Sequence, residues 1–170
     1  MTVATYQGSL IPFEASNAAK QAGTLKYAVQ AGAVTTILAG NPVQKAAGAA
    51  YVLPAATAFP TTTLRVVGVA MSNSTDTVSY DGTVDVIPAT NGQLWLAQPT
   101  VAATWNTQAK YNALIGSRVL LAFTATNNPG YTIGSSDGAS NGCIVEYLDI
   151  AKYPGMVAFS WSPLCDYRNV

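Results

Sequence analysis

Leu64-Arg-Val-Val-Gly-Val-Ala-Met71, followed by Val78-Ser-Tyr80, Asp81-Gly82 and Thr83-Val-Asp-Val-Ile87, carries the clearest strand signals in the chain. The first run is rich in β-branched residues and bounded by threonines and Ser-Asn-Ser, the pattern of a buried strand. Gly68 in its middle predicts a bulge or a close backbone approach. Asp-Gly supplies the two positive-φ positions of a tight turn, so Val78–Tyr80 and Thr83–Ile87 are expected to form a hairpin. In its second arm, alternation puts Val84 and Val86 on one face and Thr83, Asp85 and Ile87 on the other. Pro88 cannot continue the ladder.

The same reading extends outward. Gly142–Ile150 and Met156–Trp161 form a second predicted strand pair around the turn Lys152-Tyr-Pro-Gly155. Further strands are expected at Leu25–Gln30, Val34–Ala39, Gln93–Ala97, Val119–Thr124 and Tyr131–Gly134. Thr107–Ile115 alone has helical spacing, with apolar Tyr111, Leu114 and Ile115, a capping Thr107 and a stop at Gly116. The alanine-rich runs Ala46–Ala50 and Pro54–Ala58 are broken by Gly48, Pro54 and Pro60 and read as loops. Short strands at regular spacing with turn signals between them predict an all-β fold, a small β-barrel or β-sandwich with one short helix at about 107–115. No repeat, low-complexity tract or linker divides the 170 residues. They are therefore expected to form a single domain, 1–170: an N-terminal arm (1–16), a β core (17–161) and a C-terminal tail (162–170).

Composition narrows the chemistry. Hydrophobic residues make up 49% of the chain, but 28 of them are alanines, which leaves enough large side chains for one core. Charged residues are 9%, against roughly a quarter in an ordinary soluble domain, and eight basic side chains cancel eight acidic ones. Such a surface cannot neutralise a row of phosphates or hold an anionic membrane, so neither nucleic acid nor membrane is expected as a partner. Little like-charge repulsion keeps copies apart, which favours self-association. No run of apolar residues is long enough to span a bilayer, and the start, Met1-Thr-Val-Ala-Thr-Tyr6, lacks the pattern of a secretion signal.

The chain contains no histidine, which removes the commonest general base and metal ligand and any Ser-His-Asp arrangement. No phosphate-cradling glycine motif is present. Asp76, Asp81 and Asp85 fall along the predicted hairpin, and Glu146 and Asp149 along one strand, where a spacing of three turns them to opposite faces. The paired, facing carboxylates of a glycosidase are not apparent. The loop Ser135–Gly142 has oxygen donors but one carboxylate, Asp137, which is few for calcium. Cys143 and Cys165 are either two separate thiols or a disulfide tying the tail to a strand. No enzymatic activity, cofactor or metal is expected.

Surface is what remains. Three tryptophans and nine tyrosines outnumber four phenylalanines, and Trp and Tyr suit places that are apolar on one side and wet on the other. Trp105, in a Thr-Trp-Asn-Thr loop, is a candidate contact residue, with core packing the competing role for an indole. The N-terminal arm offers Tyr6, Leu10, Ile11 and Phe13, and the tail Leu164, Tyr167 and Arg168. Each end is either an edge strand or frayed tail, or an arm lying on a neighbouring subunit.

The order of features from about residue 60 to 161 also resembles a known family. Leu64–Ala70 is followed by a valine-rich hairpin and Gly92-Gln-Leu-Trp-Leu96. Next come Asn106–Gly116 running into Arg118-Val-Leu-Leu121, Tyr131-Thr-Ile133, Asp137–Asp149 and Pro154–Phe159. This succession is similar to the small capsid decoration, or cement, proteins of tailed bacteriophages. The resemblance implies a small β-barrel or sandwich, a homo-oligomer (a trimer favoured), and a seat on the capsid exterior bridging subunits of the major capsid protein. It supplies no catalytic residue. Another virion part, such as a tail or head-completion module, and a carbohydrate-binding β-sandwich are the competing expectations.

Overall fold

The structure, a computed structural model, describes residues 10–12, 23–31, 37–45, 50–55, 58–61, 65–89, 93–124 and 130–165. In chain order the strands are β1 (Ile11–Pro12), β2 (Leu25–Val29), β3 (Pro42–Lys45), β4 (Val52–Pro54), β5 (Ala58–Phe59), β6 (Val66–Ala70), β7 (Gly82–Pro88) and β8 (Leu94–Pro99). A 3-10 turn (Ala102–Thr104) and helix α1 (Gln108–Asn112) precede β9 (Arg118–Val119), β10 (Leu121–Thr124), β11 (Gly130–Ile133), β12 (Cys143–Val145) and β13 (Val157–Trp161). The fold is all-β, in two sheets.

The larger sheet has the order β5-β10-β11-β8-β13-β12-β9, with β1 added to β8. Its pairs are antiparallel except β11 with β8. Only Leu120 separates β9 from β10, so one segment pairs with β12 at its start and with β11 at its end. That shared segment curls the sheet into a small barrel. Alternate residues point inward, as the period of a strand requires: Trp95, Ala97, Val119, Leu121, Tyr131, Ile133, Cys143, Val145, Val157, Phe159 and Trp161, all in one buried cluster.

The smaller sheet, β2-β7-β6-β3-β4, is antiparallel throughout and brings its edge strands β2 and β4 close together. It curls around Val29, Val43, Val52, Val67, Ala70, Val84 and Val86. Strand β6 is buried on both faces, which its unbroken apolar run anticipates. Gly68 has both of its expected roles. Gly68 pairs with Val43 but Val66 with Gln44, a bulge that shifts the alternation. Val66 and Val69 therefore join the barrel cluster, while Val67 and Ala70 face the other way. A Cβ at Gly68 would lie 2.0 Å from the Ile87 carbonyl oxygen, so β6 and β7 can approach only because it is glycine. Ile87 lies opposite Val84 and Val86, as alternation requires.

Several sequence expectations are corrected. Val78–Tyr80 is not a hairpin arm: its residues are exposed bends, and β7 pairs with β2 and β6 instead. The chain returns beside β7 on two backbone bonds, Met71 N–H to Asp85 O at 2.7 Å and Thr75 N–H to Thr83 O at 3.0 Å, with side chains accepting the reciprocal β7 amides. Asp85 N–H donates to Ser72 Oγ at 3.0 Å, and Thr83 N–H donates to Thr75 Oγ1 at 2.9 Å. Gly82 is needed for space and not for a positive φ, since a Cβ there would meet the Asp76 backbone at 2.0 Å. The C-terminal pair is shorter than predicted. Glu146 N–H makes a last ladder bond to Ala158 O at 2.9 Å, and 147–149 have left the ladder, so Glu146 and Asp149 do not share a strand. Val119–Thr124 is two strands, and Ile37–Ala39 forms none, while 34–36 lie outside the described residues. Pro54 ends β4 and Ala58 opens β5 within a stretch read as loop; 46–49 and 56–57 are not among the described residues. The expected helix is present over Gln108–Asn112. Thr107 Oγ1 accepts from Lys110 N–H at 3.3 Å, and Gly116 adopts φ +83.

Candidate interaction surface

The strand directions decide where the loops gather. Strands β8, β11 and β12 run one way around the barrel, β9, β10 and β13 the other. The chain leaving β8 and β12 and the chain entering β9 and β13 therefore meet at the same barrel end. They are the two ends of two connections, β8–β9 and β12–β13, and each connection carries two exposed large apolar or aromatic residues: Val101 and Ile115 on the first, Tyr147 and Tyr153 on the second, with Tyr147 the most open at 62% exposure. Two connections of one sheet thus build a rim.

The rim stands on a rigid support. The Tyr111 hydroxyl donates to Glu146 O at 2.9 Å and accepts from Ala158 N–H at 2.9 Å, tying α1 to the barrel wall where the β12–β13 ladder ends. Burial pushes the Tyr111 phenol up to about 12. Gln108 donates to Leu148 O at 2.9 Å and accepts from Ile150 N–H at 3.1 Å, which fixes the loop after Tyr147. Asp149 faces Lys152 at 3.9 Å across that loop. Between the 3-10 turn and α1 lies a shallow groove of about 450 Å³ lined by Ala103, Thr104, Lys110, Ala113 and Leu114. The Lys110 ammonium donates to Ala103 O at 2.9 Å and to Asn106 Oδ1 at 3.1 Å.

A second exposed apolar feature belongs to the small sheet. Residues 71–81 carry Met71, Tyr80 and Val78, the last 89% exposed. Besides Ser72 and Thr75, three side chains brace this loop through four hydrogen bonds. Asn73 Oδ1 accepts from Ala39 N–H at 3.0 Å, and Ser74 Oγ from Ile37 N–H at 3.2 Å. The Asp81 carboxylate accepts from Ala31 N–H at 2.8 Å and from the Tyr51 hydroxyl at 2.9 Å. The Ala31 amide, then the Tyr51 hydroxyl, hold the Asp81 carboxyl below its ordinary range, and the same bond raises the Tyr51 phenol.

The residues singled out in the sequence fare differently. Leu10 is 3% exposed and its N–H donates to Gly40 O at 2.9 Å, while Ile11 and Pro12 pair with Leu96 and Trp95. Residues 10–12 therefore pack as an edge strand, and Leu10 does not offer its side chain outward. Trp105 is 4% exposed, because its indole packs edge-on against Tyr111 at 5.4 Å within the barrel cluster. It belongs to the core. Leu164 is 52% exposed on a 3-10 turn (Pro163–Cys165). Tyr6, Phe13, Tyr167 and Arg168 lie outside the described residues. The rim was missed because its two pairs, Val101 with Ile115 and Tyr147 with Tyr153, lie on two connections that only the strand directions bring to one end.

Polar groups in the Ser135–Gly142 loop are used on the protein itself. Asp137 Oδ1 accepts from Arg118 N–H at 2.7 Å, Arg118 donates to Ala139 O at 3.1 Å, and Asn141 donates to Arg118 O at 3.0 Å, covering the outer edge of β9. Among the described residues no group of three or more Cys, Asp or Glu is placed to hold a metal ion. Cys143 and Cys165 are buried and unbonded. Burial raises both thiols, Cys143 well above its ordinary value. Comparison with protein-family models, with curated proteins and with solved structures finds no match to this chain.

Proposed function

We propose that this chain is a capsid decoration protein, which binds the outer face of an assembled virus shell at the major capsid protein and stabilises the lattice. The observation that carries the reading is the rim: four exposed apolar or aromatic side chains on loops converging at one barrel end, on a surface with few charges. Aromatic residues in place of charged ones are the composition of an interface centre. The resemblance of residues 60–161 to the cement proteins of tailed phages points to the same partner. The mechanism is linkage. A ligand that binds only the assembled lattice lowers that state's free energy by its binding energy, repeated over many sites.

The test uses the purified protein and expanded, empty heads of the phage that encodes it. Saturable co-sedimentation is expected, weakened about tenfold or more by Tyr147→Ala with Tyr153→Ala, the range of an interface anchor. No co-sedimentation of the wild-type chain, or electron-microscopy density for it only inside the shell or on the tail, would end the reading. Exposure of Tyr147 also suits stacking on a sugar ring, and a melting curve shifted by oligosaccharides but not by heads would favour that second reading.

A further inference from the structure

The groove beside α1 and the braced loop 71–81 have complementary chemistry. The groove wall is alanine, threonine and leucine, with the ammonium of Lys110 at its side. Lys110 is held in place by Ala103 O and Asn106 Oδ1, both neutral, and makes no ion pair among the described residues. The loop offers the opposite set: a nearly fully exposed Val78, an exposed Tyr80, and next to them the anionic carboxylate of Asp81. Both features are pre-shaped. Five side-chain acceptors on the loop or aimed at its flanks (Ser72, Asn73, Ser74, Thr75 and Asp81) fix its path, so little ordering entropy opposes docking.

We infer that the occupant of the groove is the 71–81 loop of a second copy of this chain, with Val78 against Ala113 and Leu114 and Asp81 facing Lys110. Loop and groove are different patches, so the contact is head-to-tail, and its repetition gives a ring where the rotation between copies closes and a filament where it does not. The net charge of zero leaves little long-range repulsion to oppose this. The inference stands apart from shell binding, and its test needs no capsid.

Sedimentation equilibrium of the wild-type protein should show a concentration-dependent oligomer. Val78→Asp puts a charge on the apolar knob, and Ala113→Arg fills the groove; both positions are exposed, so the melting curve should not change. Each variant alone should associate at least tenfold more weakly than wild type. Mixing the two restores one intact contact, the knob of the Ala113→Arg chain in the groove of the Val78→Asp chain, so heterodimers should form from two monomeric partners. Lys110→Glu should weaken association most at low salt. A wild-type chain that stays monomeric, variants that associate like wild type, or a mixture that forms no heterodimer would each overturn the inference. Should Val78→Asp fail to fold, Val78→Ser gives the same reading.

Discussion

Tyr111→Phe removes one oxygen and keeps the ring. In the folded chain that oxygen donates to Glu146 O and accepts from Ala158 N–H, both at 2.9 Å, with a longer contact of 3.5 Å to Ala158 O. Ala158 is fully buried and Glu146 partly so. The phenylalanine variant therefore leaves one backbone donor and one acceptor without partners where water has poor access. The buried Ala158 N–H costs about 1–3 kcal/mol and the partly solvated Glu146 carbonyl about 1 kcal/mol, so a loss of about 2–4 kcal/mol is expected, against a total stability of about 5–15 kcal/mol. The ring still packs on Trp105, so a further loss is reserved for Tyr111→Ala, about 3–5 kcal/mol for removing a large buried side chain. Urea unfolding followed by tryptophan fluorescence reads both, and with a slope of about 1–3 kcal/mol per molar the phenylalanine variant should shift the midpoint by about 1–2 M. A variant within about 0.5 kcal/mol of wild type, the range of a neutral surface change, would show that the hydroxyl does not hold α1 to the barrel.

Burial raises the phenols of Tyr111 and Tyr131 from an ordinary 10.0 to about 12. The neutral phenols thus favour the fold fully below pH 10.0, and their contribution should be lost as pH climbs through about 12, with Tyr111→Phe losing less over that window in an alkaline unfolding titration. Asp81 behaves oppositely: its depressed carboxyl contributes above the ordinary 3.8, and the contribution goes as pH falls through the lowered value. Asp81→Asn should accelerate hydrogen exchange at the Ala31 amide with little change in global unfolding, because the contact is exposed. Gly68→Ala puts a Cβ 2.0 Å from a backbone oxygen and should cost about 3 kcal/mol or more by thermal unfolding, since backbone must move. Gly116→Ala meets open space and only a left-handed φ of +83, so about 1 kcal/mol is expected.

Local chemistry made much of the fold legible. The β-branched run at Val66–Ala70, the capped turn of helix from Gln108 to Asn112 and its glycine stop, and the bulge at Gly68 were all readable from neighbours in sequence. Pairing was not. Asp81-Gly82 has the residues of a tight turn, but β7 finds its partners in β2 and β6, whose apolar faces it needs to close a core. Local turn preference is worth less than that burial. Pro42–Lys45 and Val52–Pro54 escaped notice because proline and alanine weaken the strand signal, and sheet partners override it. Trp105 looked like a contact residue because a loop indole among polar neighbours gives no local hint of Tyr111 waiting beside it.

The amino-acid sequence by itself determined the class of this protein: an all-β chain with one short helix, few charges, no histidine and many amphipathic aromatics. These follow from composition and from periods of two or three and a half residues, which act between near neighbours. The tertiary structure alone decided which strands share a barrel, that Leu10 and Trp105 turn inward, and that Val101, Ile115, Tyr147 and Tyr153 surround one end. Those outcomes depend on strand direction and on contacts between residues distant along the chain, where the gain from joint burial, and not local preference, selects the arrangement.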